Sequence, residues 1–532
     1  MKISDKKLIL FIMVMMFLNC VMLTNGHFLL IPNEKSACFQ NILSKEISTK
    51  SYTEHSPISI ISDSNFTDYG FPGEGTVQSP FIIANYNITT DAFLGVYVFN
   101  TTKHFIIRDC YIDAYHYGIA IERAATNSVT LENNECENHI YSGIYLTRTH
   151  NVTIQENECT NNDNGIHLTY SNYAEIINNF CMLNEVGIAL LYSDYATITT
   201  SVCTQNAWGI ALLVSEYYFI TENILFQNTK GMEVNQSNNG SISDNEIEGS
   251  IEGLQIDTCT SVLILKNECL VNTWAITCFD SSLITIKENR CHSNIENGIF
   301  LDETTNSSIL SNVCYNNNWA GIRSSICEDV YIAGNNCTNN GAEGIRLFYG
   351  NFKHVPPATV INNYCQDNNI GIGLYTAYSG LIANNTCKVN NIGLYLTESY
   401  YNEITNNIIE NNIEYGVEID ELSVKNEIYQ NDFICNNANG TSDGNSQAFD
   451  DGVLNKWYNE ETNIGNYWSS LEEEQTEYYI DGDADARDPF PQKEPLNLTE
   501  TDEATGYTVF SMLVLLFLSI GIAIVPRRGM DQ

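Results

Sequence analysis

The stretch Ile154-Gln155-Glu156-Asn157-Glu158-Cys159-Thr160-Asn161-Asn162-Asp163-Asn164-Gly165-Ile166-His167-Leu168 decides the fold, because the chain repeats its pattern 22 residues later. The next copy reads Ile176-Ile177-Asn178-Asn179-Phe180-Cys181, then Gly187-Ile188-Ala189-Leu190. Apolar and polar residues alternate over only three or four positions, with Ile166 and Leu168 expected inward and His167 outward. Such short strands recur too regularly for helices. The Asn pairs between them suit left-handed bends and local side-chain hydrogen bonds, and stacked Asn amides can bond along an axis. Gly143, Gly165, Gly187, Gly209, Gly231, Gly253 and Gly298 mark a turn where a side chain is costly or φ is positive.

Outward from this stretch, eleven cysteines fall on one expected ladder: Cys110, Cys136, Cys159, Cys181, Cys203, Cys269, Cys291, Cys314, Cys337, Cys365 and Cys387. Most steps are 22 or 23 residues, and Leu225, Ile247 and Ile409 fill the remaining rungs. A position shared by Cys, Leu and Ile is a small buried apolar one, where a free thiol packs as a compact hydrophobe. A metal–thiolate array fits poorly, since no CxxC pair occurs and Leu225 and Ile247 interrupt the line. Neighbouring rungs are close enough for some disulfides, although the bond demands more than proximity.

A 22-residue coil with three short strands closes around an apolar interior and pairs with the next coil. The LxxLxLxxN pattern of a leucine-rich horseshoe is absent. The fold expected is therefore all-β, a right-handed single-stranded parallel β-helix of about 14 coils, roughly 65 Å long at the spacing of paired strands. The step from Cys337 to Cys365 is 28 residues, which places a projecting loop, or a tolerated insertion, at residues 349–357.

Both ends of such a solenoid need covers. Residues 28–95 read as an N-terminal cap and first coils, 96–435 as the β-helix, and 436–496, with Trp457, Trp468, Tyr478 and Tyr479, as the C-terminal cap. Residues 1–27 have the basic start and apolar run of a secretory signal peptide. Residues 497–507 form an acidic linker to an apolar segment, 508–525, and a tail, 526–532, that opens with Pro526-Arg527-Arg528. That order predicts a single-pass C-terminal membrane anchor with the bulk on the extracellular face.

Charge narrows the partners. Lys and Arg number 24 against 65 Asp and Glu, a net charge of -41. A chain so acidic repels nucleic acid. Asn-x-Ser/Thr sequons at Asn65, Asn87, Asn100, Asn151, Asn306, Asn336, Asn384 and Asn497 are acceptors if the host glycosylates exported proteins, although chance supplies many in so Asn-rich a chain.

The Asn-rich coils resemble the NosD-type β-helix repeats, also described as carbohydrate-binding and sugar-hydrolase β-helix domains. The more specific match is Asn463-Ile464-Gly465-Asn466-Tyr467-Trp468-Ser469, followed by Tyr479-Ile480-Asp481-Gly482-Asp483, Asp488 and Pro489. It is similar to the GNYW…IDGD…DxxP ending of archaeal and bacterial NosD-like surface proteins. The resemblance spans about residues 60–496. It implies the fold and an exported location, but names no reaction. The founding type is implicated in copper delivery, yet His116, His139, His150 and His167 fall at unequal coil positions and form no ordered array.

Three groups of residues are candidate sites. Asp257, Asp280 and Asp302 are 23 and 22 residues apart and would stack if each ends the same strand, either as carboxylates for acid–base work on a polysaccharide or as ordinary turn residues. Glu233, Arg323 and Arg346 are expected at outward positions of the second strand. Tyr173, Tyr195 and Tyr217, each two residues after a Ser, are 22 apart. Outward, they would offer aromatic faces to sugars or a protein; inward, they would fill a corner. Asp481, Asp483, Asp485 and Asp488 alternate as in a Ca²⁺ loop, without the Gly and Glu of an EF-hand. The functions these features allow are a surface protein that binds polysaccharide or glycoprotein glycans in adhesion or envelope structure, a polysaccharide lyase or glycosidase, and a plain spacer.

Overall fold

The computed structural model describes residues 50–350, 358–438 and 446–495. The solenoid lies within residues 52–495. It is a parallel β-helix of about 15 turns, close to the number the repeat predicts. Each full coil contributes one strand to each of three parallel sheets. A thiol sheet has three-residue strands such as Glu158–Thr160, and a broad sheet has six-residue strands such as Asn164–Thr169. The third sheet has strands such as Glu175–Ile177. In the broad sheet Ile166 pairs with Ile188 and Leu168 with Leu190; all four are buried, while His167 points outward. Burying each such side chain is worth about 1.5–3 kcal/mol.

Ten of the eleven ladder cysteines occupy the expected line. Cys136, Cys159, Cys181 and Cys203 pair rung to rung, Leu225 and Ile247 follow, and six more run from Cys269 to Cys387. All are free thiols in the core. Burial, and the thiols stacked on either side, push the Cys291 thiol well up and keep it neutral. Cys110 corrects the expected line. Cys136 pairs with Ile112, so the 26-residue step before it reflects a different position. Cys110 lies two residues earlier, with its N–H on Asn134 Oδ1 at 3.2 Å, and burial raises its thiol to about 12.

The Asn pairs divide their work. The first residue of each pair takes the left-handed bend, φ +57° at Asn161 and +52° at Asn178, and the second is buried. Other residue types take that bend as well, such as Leu183 and Val271, so the bend is imposed by the coil and not by Asn alone. The buried member is the one that matters chemically. Asn245 Nδ2 donates to Ile220 O, Ser243 O and Asn267 Oδ1, each at 2.9 Å. Its Oδ1 accepts the N–H and the amide of Asn223, both at 2.9 Å. Repeated coil after coil, this satisfies the backbone at a corner that has no strand partner. In the glycine row the first of the two alternatives holds, a costly side chain: a Cβ on Gly165 would lie 2.5 Å from Gly187 O, and φ there is not left-handed.

Both ends are closed by aromatics. At the start, Asn65–Asp68 forms a helical turn whose Phe66 is buried and stacks on Phe81, centroids 4.7 Å apart. At the far end, Phe433, Trp468 and Tyr478 stack at 4.1 and 3.9 Å, and Trp468 continues the thiol line past Ile409 and Phe433. Tyr349 is buried at the base of the inserted loop, and its hydroxyl accepts the Ala358 N–H at 2.8 Å; residues 351–357 lie outside the described residues. So do the expected signal 1–27 and the apolar segment 508–525. Among the described residues no helix is long and apolar enough to cross a membrane.

Candidate functional site

The corner after the broad sheet presents the densest functional chemistry. Ser171, Ser193 and Ser215 are drawn inside, each hydroxyl donating two residues back, to Thr169 O, Leu191 O and Leu213 O, and accepting the N–H of the preceding rung's residue. On either side of each buried Ser the backbone turns left-handed, φ +50° at Tyr170 and +60° at Tyr173. Those turns throw the tyrosines out. Tyr173, Tyr195 and Tyr217 are 52%, 42% and 42% exposed, so the outward alternative holds.

Their geometry changes what they offer. Tyr173 and Tyr195 stack at 4.7 Å and 8°, Tyr195 and Tyr217 at 4.9 Å and 6°. Tyr170 and Tyr192 form a second pair at 4.9 Å and 4°. Rings stacked in this way cover much of one another's faces. What solvent meets is chiefly ring edges and a row of phenol hydroxyls.

Between the two Tyr positions in each rung stands a polar residue: Asn172, Asp194, Glu216. Asn172 Oδ1 accepts the Asp194 N–H at 3.1 Å, and Asp194 Oδ1 accepts the Glu216 N–H at 2.8 Å. His150 Nδ1 accepts the Asn172 N–H at 3.1 Å. A groove of about 390 Å³ runs here, lined by His150, Tyr170, Asn172, Tyr192, Asp194, Val214 and Glu216. Each polar side chain is oriented by the rung above it and keeps at least one further acceptor position.

A second groove, about 490 Å³, lies on the outer face of the broad sheet near its start and includes Phe93, Tyr97, His116, Tyr117, Glu122 and Tyr145. Sequence reasoning passed over it. The signal was available, since Tyr97 and Tyr145 hold the same outward position on their strands as His167. His167 there is held below the usual histidine range by burial, against a smaller opposite pull from Asp163.

The other two candidate groups are not assembled as the spacing suggests. Asp257 pairs with Phe279, which pairs with Asp302, so a phenylalanine separates the two carboxylates. Asp280 follows Phe279 at φ +46°, beyond the strand, and the three do not stack. Asp257 and Asp302 share one coil position, whereas Asp280, the middle of the count, lies one residue past it. Glu233, Arg323 and Arg346 do occupy the outward line, with Phe300 beside Arg323.

The cap aspartates serve separate tasks. Asp488 is fully buried; its Oδ2 accepts Asn466 N–H at 2.7 Å and Trp468 Nε1–H at 2.9 Å, and its Oδ1 accepts Phe490 N–H at 2.9 Å. Asp481 accepts Ser446 N–H, while Asp483 donates its own N–H to Asp451. Asp485 takes a left-handed turn. Among the described residues no three His, Cys, Asp or Glu side chains form a group that could hold a metal, which removes the support for a Ca²⁺ loop.

The family model described as "Periplasmic copper-binding protein (NosD)" matches residues 58–231, 215–364 and 327–473. Comparison with curated proteins gave no match. Among solved structures, the chain is similar to the periplasmic alginate epimerase AlgG, with 13% identity over 63% of this chain and 79% of that one, TM-score 0.37. It is also similar to the Azotobacter vinelandii mannuronan C-5 epimerase AlgE4 A-module, 14% identical over 59% and 84%, TM-score 0.34. The Dettilon tailspike protein gp208 is 15% identical over 56% and 62%, TM-score 0.38.

Proposed function

The chain belongs to the NosD family, and we propose that it is an extracytoplasmic β-helix that binds glycans in the corner groove between His150 and Glu216. The observation behind this reading is the groove's repetition. Two successive coils set a phenol, Tyr170 then Tyr192, beside an oriented amide and carboxylate, Asn172 then Asp194, about 4.8 Å apart, and the third coil sets Val214 beside Glu216. A linear glycan along the axis would meet a hydrogen-bond acceptor on each of the three coils and a phenol on the first two. Sugar hydroxyls donate well to Asp194 and Glu216, and these carboxylates favour a neutral glycan over an anionic one.

The copper in the family description lacks a matching donor set among the described residues. The ladder thiols are sealed in the core, and among the described residues no three candidate ligands converge.

For the whole chain we keep the remaining domain reading: 1–27 as export signal, 28–95 as cap and first coils, 96–435 as the helix, 436–496 as closing cap, 497–507 as linker and 508–525 as a single-pass C-terminal anchor. The family's periplasmic description agrees with export. Fractionation of cells expressing the full chain and one truncated after residue 507 tests the anchor; equal release of both removes it.

A glycan array followed by titration of neutral oligosaccharides tests the groove. Tyr192→Ala and Asp194→Asn should each weaken binding about tenfold while the fold persists. Unchanged affinity in both variants overturns the site. Release of unsaturated or new reducing ends during the titration would replace binding with lyase or hydrolase activity.

A further inference from the structure

Cations are scarce in this chain, and most that lie on the solenoid are paired. Lys230 reaches Glu252 at 2.8 Å, Arg290 reaches Glu268 at 3.5 Å, and Arg487 reaches Glu477 at 2.9 Å. Arg323 is the exception on the broad sheet. Among the described residues no carboxylate lies within 4.0 Å of it, and it makes no side-chain hydrogen bond. It is half-buried over Phe300, with its guanidinium carbon 4.7 Å from the ring centroid.

Its neighbours make this costly. Arg346 is its register partner on the next rung, so two like charges are stacked. Arg346 is compensated by the buried Glu343, at 2.6 Å, and packs over Tyr375 at 3.8 Å. Arg323 is not compensated in this way; Asp302, Glu296 and Glu343 act on it only from beyond ion-pair distance. The Nε atoms of both arginines are buried without a hydrogen-bond partner. An unpaired, partly desolvated guanidinium costs stability unless something supplies acceptors.

We propose that Arg323, with Phe300 and Arg346, forms a second binding site for the carboxylate of an acidic sugar. A guanidinium fork receives a carboxylate in two parallel hydrogen bonds. Phe300 and Trp274, 5.7 Å apart, supply apolar surface beside it for a pyranose ring. Tyr395 stands two rungs past Arg346 on the same outward line, with Gly373 between them. The site thus runs along the axis on a face separate from the corner groove. Its charge preference is opposite: the corner offers acceptors to a neutral glycan, and this face offers donors to an anionic one.

Titration of the full chain with oligogalacturonate in the presence of a chelator tests the site, with carboxyl-reduced and sulfated oligosaccharides as comparison arms. The parent should bind the uronate form at least tenfold more tightly than the reduced form. Arg323→Gln should lose that preference, Arg323→Lys should retain part of it, and neither should alter neutral-glycan binding at the corner. Arg323→Gln should also be at least as stable as the parent without ligand, because stacked charge is removed. Equal binding of uronate and reduced forms, or an undiminished preference in Arg323→Gln, overturns the proposal. Tighter binding of the sulfated arm than of the uronate overturns its assignment to carboxylates. Loss of neutral-glycan binding in Tyr192→Ala alone would bear on the corner groove and leave this site standing.

Discussion

Trp468 and Asp488 form the closing bond of the solenoid: the indole Nε1–H donates to Asp488 Oδ2 at 2.9 Å while the ring stacks on Phe433. The same oxygen accepts Asn466 N–H, the end of the buried Asn line. A Cβ on Gly465 would lie 2.0 Å from Asp488 Oδ1, which explains why Gly, Asn, Trp and a distant Asp occur together. Gly465→Ala and Asp488→Ala should each destabilise the cap by about 2–4 kcal/mol, through overlap and through orphaned buried donors respectively. Urea unfolding with Trp fluorescence reads this directly; a loss under 0.5 kcal/mol in both would remove the cap from the stability of the coils beneath it.

The buried Asn line makes a graded prediction. Asn245→Ala removes acceptors for both the N–H and the amide of Asn223, and should cost about 2–4 kcal/mol. Asn245→Ser should cost about half as much, because Ser201 already fills one rung of the line and accepts the Asn179 N–H at 3.2 Å. Equal losses for the two variants in denaturant melts would show that cavity volume, not hydrogen bonding, governs this corner.

Tyr218 is fully buried where Ala174 and Ala196 stand on the preceding rungs, and its ring fills the space over Gly240. A Cβ on Gly240 would meet that ring at 1.9 Å. Gly240→Val alone should therefore destabilise by about 2–4 kcal/mol. Combined with Tyr218→Ala it should recover most of the loss, as Ala196 and Val262 on nearby rungs show the small–large order is tolerated. Additive losses in the double-mutant cycle would contradict direct packing.

Thiol chemistry separates surface from core. Of the described cysteines only Cys435 is exposed. In native protein, leaving aside Cys20 and Cys38 outside the described residues, a thiol reagent should label Cys435 quickly and the ladder only on unfolding. Rapid labelling of Cys314 would mean that the coils open far more readily than their packing implies.

Acid should loosen the N-terminal end. Burial works against the charge of Asp63, but hydrogen bonds from Thr102 and Thr101 together hold its carboxyl below the usual 3.8. A depressed folded value stabilises above the unfolded one and is lost as pH falls through the folded one. Protection of the Thr102 amide, taken relative to its intrinsic exchange rate, should fall below about pH 3.8 in the parent, whereas Asp63→Asn should be less protected already at neutral pH and lack that step. Unchanged protection across the transition would sink the assignment.

The 22-residue period, the alternation at Ile166–Leu168 and the mix of Cys, Leu and Ile on one line were enough to determine a closed parallel coil with a thiol core. These are local or periodic signals, and a repeated coil can satisfy its backbone only by pairing with its copies. The outward direction of Arg323 and Arg346 was legible for the same reason. Register was not. A shift of one or two residues moves a side chain to another face or corner, and only pairing across coils revealed that Cys110 leaves the thiol line and that Phe279 separates Asp257 from Asp302. Side-chain geometry was also decided in three dimensions. Exposure of Tyr173, Tyr195 and Tyr217 was one of two sequence alternatives, but the near-parallel stacking that covers their faces depends on left-handed turns repeated at every rung. The acidic run at Asp481–Asp488 looks like one site in sequence and is several in space, because the cap folds Asp488 inward to Trp468 while its neighbours attach to other strands.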